Sequence, residues 1–583
     1  MSIAKRILRQ RVVPASKEAF PPDVPPVIQR LMLARGVLRP EALDLSMVGL
    51  APPASMKDID LAANLLADAI EQMQLIVIVG DYDCDGATST ALSVLALRSF
   101  GCTNVQYLIP NRFEDGYGLT PPIVKRAQAQ GASLIMTVDN GVSSIDGVRL
   151  AKQLGMCVVV TDHHLPGAQM PAADALVNPN QPGCGFPFKS TAGVGVAFYL
   201  MCVLRKVLRD RQWFSRQRID EPNMATYLDI VALGTVADVV SLEHNNRLLV
   251  AQGLKRIKAG MCRPGIAALA KIANRELRFL SSADLGFSLG PRLNAAGRLD
   301  DMSVGIECLI AEDTERAQTL AMMLNSYNDD RKVIEADMQE QAKAIVKDLQ
   351  QLKGVNLPWG LCLYDESWHQ GVVGLLASRV KERQHRPVVA FARAAEGSTE
   401  LKGSARSIPG LHIRDAFERV ASQNPGLILK FGGHAAAAGL SIEGDKLEQF
   451  TRAFDQAVRA MLDPELLRPE LLTDGTLAEG ELTIDTARYI EMYGPWGQGF
   501  PEPVFEGKFS VYDKRVVGGR HLKLMLTTAQ GNIVDAIQFN SEWIEGGLPP
   551  QIYIAYRMDI NRFRGKESVQ LIVDQIDSVA PSR

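Results

Sequence analysis

The stretch that decides the fold is LIVIVGDYDCDGATST, residues 75–90, in which five apolar residues and a glycine run into three aspartates on alternate positions. A short continuous apolar run that ends in a turn reads as a strand buried on both faces. Asp81, Asp83 and Asp85 then stand together at its carboxyl end, where three carboxylates repel one another unless positive charge sits among them. The spacing imitates the opening of a calcium loop of EF-hand type, D-x-D-x-D-G. The imitation fails because Leu92 stands where that loop needs a bidentate glutamate, and because the run before it reads as strand rather than helix.

Working outward, helical and strand patterns alternate from about residue 60 to 240. LAANLLADAIEQ precedes LIVIV, TALSVLALRSFG precedes VQYLI, PIVKRAQAQGA precedes SLIMTV, and IDGVRLAKQLG precedes CVVVT. That alternation predicts a parallel sheet with crossover helices, whose ligands bind beyond the carboxyl ends of the strands. Here SLIMTV runs into Asp139, CVVVT into Asp162, His163 and His164, and a fourth apolar segment, DIVALGTVADVV, delivers Asp238 after a Gly-Thr turn. Four acidic ends in one domain, carrying two of the chain's eight histidines, point to carboxylates and imidazoles converging on more than one divalent cation. Oxygen-rich ligation with one or two histidines suits Mn²⁺ or Mg²⁺ better than structural zinc. Two such ions about 4 Å apart clamp a phosphoryl oxygen and activate a water, which points to hydrolysis of a phosphate ester or anhydride. The competing account is that Asp81 to Gly86 forms an Asx-rich turn capping a helix that starts near Ala87, with Asp162 bracing the adjacent imidazoles.

The remainder of the chain adds further domains, since 583 residues are too many for one core. We expect an N-terminal helical segment over 1–60, the catalytic domain over 61–310, a connecting helix over 311–353, a second α/β domain over 354–462 and a β-barrel over 463–583. The connecting helix follows from the absence of Gly and Pro between Gly305 and Gly354, with Asn325 to Asp330 its weakest stretch. The barrel follows from short alternating strands such as KFSVYDKRVV, LKLMLTT and IYIAYRMDI. The eight cysteines are scattered singly with no C-x-x-C pair, which supports neither a disulfide framework nor a zinc-thiolate site. No apolar run reaches the length of a membrane helix and MSIAKRILRQRVV has no signal-peptide core, so a cytoplasmic protein without membrane association is expected. A net charge of −3 gives no global attraction to nucleic acid, so any such binding needs a local basic groove.

GDYDCDG, VDNG, TDHH and GTVADVV, in that order, resemble the four signature motifs of the DHH phosphoesterase superfamily. The resemblance extends through SLGPRLNAAGRLDD (288–301), HQGVVGLLASR (369–379), GSARS (403–407) and GGHAAAAG (432–439) to the RecJ family of single-strand-specific exonucleases. It covers nearly the whole chain, including a DHH-associated second domain and a C-terminal oligonucleotide-binding barrel. It implies a 5′→3′ exonuclease that releases nucleoside 5′-monophosphates from single-stranded DNA with two divalent cations, Mn²⁺ or Mg²⁺, and serves recombination and repair. Carried over by motif, Asp83 and Asp139 bind one metal, and Asp85, Asp139, His163 and Asp238 bind the other, with Asp139 bridging. Asp81 is implied as a ligand or adjacent acid, and His164 as a group that stabilises the transition state or orients ligands. In many relatives a histidine stands where this chain has Val79, and Asp81 is placed to substitute for it. A single-strand-binding protein and a helicase are likewise implied as partners, and a monomer is the default expectation.

A 5′ exonuclease needs a closed pocket for the terminal phosphate. Ser404 and Arg406 offer a hydroxyl and a guanidinium fork, and in GGHAAAAG Gly433 allows close backbone approach at an expected helix start beside the donor His434. The resemblance places Arg379 near the same phosphate; an ordinary ion pair is the alternative for it and for Arg406. Arg292, Asn294 and Arg298 of GPRLNAAGR read as phosphate contacts, or else as a solvated loop. RKVLRDRQWFSRQR (205–218) reads as a basic surface helix in preference to a stacking platform. The barrel mixes Arg515, Arg520, Lys523, Arg557, Arg562 and Arg564 with Tyr512, Tyr553, Tyr556 and Phe563, which suits backbone charge and base stacking.

Three rival functions compete. A DHH enzyme for very short oligonucleotides or pyrophosphate would have no use for a remote barrel. A D-x-D-G-x-T hydrolase, imitated by Asp83 to Thr88, would use Asp83 as a covalent nucleophile with one Mg²⁺ and no role for His163. A replication scaffold on a decayed core would not need the full acidic and histidine set.

Overall fold

The computed structural model describes residues 6–16, 18–111, 115–353, 357–395, 397–478, 480–541, 543 and 547–578. Contacts divide the chain into two compact units, one of residues 14–328 with 488–502, the other of 1–13, 329–487 and 503–583.

The first unit is built on a five-stranded sheet of Val105–Leu108, Ile76–Val79, Leu134–Val138, Cys157–Thr161 and Ala175–Val177 in that spatial order, all pairs parallel. Numbered along the chain the order is 2-1-3-4-5, a doubly wound sheet whose switch point lies between Ile76–Val79 and Leu134–Val138. Both of these strands are buried along their whole length, which is why they read as unbroken apolar runs. Helices Cys84–Ser99, Pro121–Ala129 and Ile145–Gln153 follow three of the strands, and Gly193–Asp210 and Leu228–Ala237 pack beside the first of them.

One expectation fails here. The Gly-Thr turn expected in DIVALGTVADVV does not form: Leu228–Ala237 is a helix that runs through Gly234 and Thr235, with every position from Leu228 to Thr235 buried. A helix that is apolar on all sides has no 3.6-residue periodicity to reveal it. RKVLRDRQWFSRQR ends the long helix Gly193–Asp210, and Trp213 and Phe214 turn inward at 7% and 5% exposure, leaving no stacking platform. Arg211 is held by Asp68 and Glu71 at 2.7 and 3.0 Å.

The helix Thr314–Lys353 runs for 40 residues, about 60 Å, without a break at Asn325–Asp330. A separate helix, Ser303–Ile310, precedes it. In the second unit a mixed sheet takes the order Lys430–Gly433, Ala437–Glu443, Glu400–Arg406, Val388–Arg393, Leu361–Tyr364, and only its last pair is parallel. GGHAAAAG therefore forms an antiparallel hairpin, not the helix start expected of it. Gly and Ala carry neither period, so pattern gave no warning. Phe391, Phe417, Phe450 and Phe454 fill the core between this sheet and its helices. Strands Phe505–Val517, His521–Thr527, Ile533–Gln538, Lys566–Asp577 and Gln551–Phe563 close into a barrel. The N-terminal segment is not wholly helical either: Ile7–Gln10 pairs in parallel with Glu470–Thr473, and Arg6 bonds to the Asp574 carbonyl at 2.7 Å.

Candidate metal centre

All of the acidic and histidine residues expected at the centre meet at the switch point of the first unit. Asp83 caps the helix Cys84–Ser99, its Oδ1 accepting the Gly86 N–H at 3.0 Å. Asp85 lies in the first turn of that helix, 1% exposed, and accepts the N–H groups of Gly193 and Val194 at 2.7 and 2.9 Å. Those amides open the helix Gly193–Asp210, so its positive end holds the carboxylate. Gly193 is required by close approach, since a Cβ there would lie 2.6 Å from Asp139 Oδ1.

Asp139 follows Leu134–Val138 with φ of +60°, a left-handed turn that aspartate tolerates better than most side chains. His163 Nε2 stands 3.1 Å from Asp139 Oδ1, 3.6 Å from Asp238 Oδ2 and 3.9 Å from Asp85 Oδ2. Asp238 closes the helix Leu228–Ala237. The ligand atoms fall into three groups within 4.8 Å: Asp81, Asp83 and Asp139; Asp85, His163 and Asp238; and Asp139, His163 and His164.

Electrostatics shows how uncomfortable the cluster is by itself. Burial, then Asp85, Asp83, Asp238 and Asp81, push the Asp139 carboxyl well above the usual carboxylate range. Burial and the Asp238 charge raise Asp85 to about 7, and burial with Asp83 raises Asp238 to about 7. Burial and the neighbouring His164 lower His163, which keeps its imidazole neutral and available as a ligand. Asp139 Oδ1 and His163 Nε2 are both buried and neither has a hydrogen-bond partner. Two orphaned ligand atoms facing each other among carboxylates forced towards protonation fit the donor set of a divalent cation, whose charge would reverse the carboxylate shifts and hold His163 neutral.

Of the residues that support the ligands, only Asp162 had a role in the sequence reading, as a brace of the adjacent imidazoles. Asp162 is a brace: Oδ2 accepts the Val142 N–H at 2.8 Å, while Oδ1 accepts the backbone N–H of His163 and His164 and faces His164 Nδ1 at 2.7 Å. Burial lowers His164, but the Asp162 hydrogen bond and charge outweigh it and carry that imidazole up to about 9. Asn178 and Asn180 donate to the carbonyls of His164 and His163 at 2.9 and 2.7 Å. Tyr117 sits edge-on to both Tyr82 and His164 at the rim. The polar run NPNQ after a buried strand was the available signal for the two asparagines.

The residues expected at phosphate divide. Asn294 directs its Oδ1 to the Cys84 N–H at 2.8 Å, and a Cβ on Gly297 would run into the Tyr82 carbonyl. The helix Gly290–Leu299 is thus a buttress under the Asp81–Asp83 loop, not a solvated loop. Arg292 bonds Asn325 Oδ1 at 3.0 Å and the Ser288 carbonyl at 2.5 Å, and Arg298 is half-buried. In the second unit Ser404 and Arg406 lie 3.1 Å apart against Gly374 at the start of the helix Val373–Gln384. Ala437 is in register with Arg406 and Ala438 with Gly433, and the His434 N–H bonds the Ala437 carbonyl, so Gly433 and His434 join that end of the sheet. Arg379 makes the ion pairs that were its alternative, to Glu335 at 3.0 Å and Glu382 at 3.4 Å. On the barrel, Tyr512 and Phe563 are 66% and 63% exposed near the exposed Arg515, Arg520 and Arg564. Tyr556 is buried in the barrel core, and Arg557, Arg562 and Lys523 pair with Asp574, Glu567 and Asp535.

Comparison with known proteins agrees with this layout. Residues 75–235 match the DHH family N-terminal domain, 341–460 the DHHA1 domain and 473–575 the RecJ OB domain. The chain is 52% identical to the single-stranded-DNA-specific exonuclease RecJ of Escherichia coli over 98% of both chains. It is 50% identical to that of Haemophilus influenzae over 99% of this chain and all of the relative. Among solved structures, Thermus thermophilus RecJ in complex with Mn²⁺ superposes with a TM-score of 0.79 at 28% identity, covering 99% of this chain and 80% of that one. Its complex with Mg²⁺ gives 0.72 at 27% identity, covering 99% and 79%. No helix among the described residues is long and apolar enough to cross a membrane. Matched from end to end at half identity, with all three component domains in order, the chain belongs to the RecJ family of single-stranded-DNA-specific exonucleases.

Proposed function

We propose that the protein removes nucleoside 5′-monophosphates from the 5′ end of single-stranded DNA with two divalent cations, Mn²⁺ or Mg²⁺, acting in recombination and repair. Asp81, Asp83 and Asp139 would hold one ion, and Asp85, Asp139, His163 and Asp238 the other, Asp139 bridging. When bound, such a pair lowers the pKa of a water and offsets charge on the scissile phosphate. The observation that carries this is the pair of buried, unpartnered ligand atoms, Asp139 Oδ1 and His163 Nε2, 3.1 Å apart.

The protein's own groups supply the rest. The Asp162 hydrogen bond orients His164 and keeps it cationic, which suits it to a phosphate oxygen carrying developing charge. Asp85, clamped by two helix amides, fixes its ligand position before any ion arrives. Ser404, Arg406, Gly433, His434 and the amides opening the helix Val373–Gln384 are the candidates for the terminal phosphate, with Arg379 beyond them. Arg292 and Arg298 would steady the strand backbone, and the exposed barrel aromatics and arginines would give the strand a further binding surface. A single-strand-binding protein and a helicase fit this role as partners, and a monomer suffices for it.

The test is 5′-labelled single-stranded DNA incubated with the protein and Mn²⁺ or Mg²⁺. Stepwise release of labelled mononucleotide, silenced by chelation, is expected. Internal cleavage, release from 3′ ends or indifference to chelator would overturn the proposal.

A further inference from the structure

We propose that Asn140 is a positioning residue of the metal centre, setting the separation between the two strand ends that carry the ligands of one ion. The inference rests on the two-cation reading above and concerns a residue that touches neither ion nor substrate in it.

Ile76–Val79 and Leu134–Val138 are hydrogen-bonded neighbours up to Val79 and Thr137. Beyond that point the chain turns away from each strand towards Asp81 and Asp83 on one side and Asp139 on the other. The carbonyls of Val79 and Val138 stand at that divergence, each at the last paired position of its strand, where a hydrogen bond lost at a buried carbonyl costs about 1–3 kcal/mol. Asn140, fully buried, meets both: its Nδ2 donates to the Val79 carbonyl at 3.0 Å and to the Val138 carbonyl at 2.8 Å. Facing two acceptors, the amide has only one workable orientation, with nitrogen towards the carbonyls.

The rest of the turn serves the same tie. Thr137 Oγ1 donates to the Asn140 carbonyl at 2.7 Å, and Thr161 Oγ1 donates to the Thr137 carbonyl at 2.8 Å. The left-handed Asp139 reverses the chain between ligand and tie, so one side chain enters the cluster while the next folds back onto the sheet. The choice of amide also has a reason. A carboxylate at this position would face two carbonyl oxygens and add charge beside Asp139, whereas the amide brings two donors and no charge. Asp85, His163 and Asp238 are positioned independently, by the Gly193 and Val194 amides, by Asn180 and by the end of the helix Leu228–Ala237. Loss of the tie therefore falls hardest on the Asp81–Asp83–Asp139 group, since the other ion shares only Asp139 with it.

Calorimetric titration of the full chain with Mn²⁺ tests this without reference to turnover. The unaltered protein is expected to take up two ions. Asn140→Leu, similar in volume and lacking donors, is expected to weaken the ion of the Asp81–Asp83–Asp139 group by roughly 10- to 100-fold, the scale of lost ligand support, and the other, which shares only Asp139, clearly less. Asn140→Ala serves in its place if the leucine variant does not fold. Unchanged affinity for both ions overturns the inference, as does equal weakening of both with a lowered melting temperature in chelator, which would mark general fold support. Failure of the unaltered protein to bind two ions would instead overturn the two-cation reading.

Discussion

At Asp139 one oxygen is asked to remain charged among four neighbouring carboxylates without a hydrogen bond of its own. Such an arrangement is unfavourable for the folded chain alone and becomes favourable only with cations, so it trades stability for function. Asp139→Asn removes the charge while keeping the shape. In chelator this variant is expected to be more stable than the unaltered protein by about 1–3 kcal/mol, read as a rise in denaturation midpoint. In Mn²⁺ it is expected to lose several kcal/mol of transition-state stabilisation, or about a thousandfold in turnover. A variant destabilised in chelator, or one with near-normal turnover, would mean that Asp139 is not the bridging acid.

Among the elements, the helix Gly290–Leu299 acts on the centre without contributing a ligand. It supports the loop Asp81–Asp83 through Asn294 and through the bare face of Gly297, which lets the Tyr82 carbonyl approach. Gly297→Ala is expected to displace that loop and lower kcat at least tenfold with little change in KM for single-stranded DNA, part of the loss returning at high Mn²⁺. A change confined to KM would return GPRLNAAGR to the role of strand contact. The buttress also shows where sequence reasoning stopped. Asp81, Asp83, Asp85, Asp139 and His163 were legible because buried parallel strands are unbroken apolar runs and the topology gathers whatever follows them. Asn294 was not, because its partner Cys84 is 210 residues away and nothing local distinguishes a buttress from a phosphate contact. Asp238 joins the cluster as expected, but the Gly-Thr turn expected to deliver it is part of a helix buried on every side. Asn140 sat in plain view in VDNG, yet its value lies in two carbonyls on different strands, which no spacing records.

For the whole molecule, the consequence of the cluster is a stability that depends on pH and metal together. Asp85 and Asp238 have folded pKa values of about 7 against about 3.8 unfolded. The folded state thus holds protons that the unfolded state releases, and its stability falls as pH rises from 3.8 through 7. His164 adds to the trend, since a pKa raised from 6.5 to about 9 gives stabilisation that is full below 6.5 and lost as pH passes 9. In chelator, the transition of the unit containing residues 14–328 should therefore move down in temperature between about pH 5.5 and 8.5. Cations displace those protons, so Mn²⁺ should raise this transition more at the higher pH than at the lower. Among the described residues, all three groups able to hold a metal lie in this unit and none in the other, whose transition therefore serves as a reference within the same chain. Differential scanning calorimetry with and without Mn²⁺ at the two pH values measures all four quantities. A shift shared equally by both transitions, or a larger Mn²⁺ effect at the lower pH, would show that the cations act somewhere other than the carboxylates gathered at the switch point.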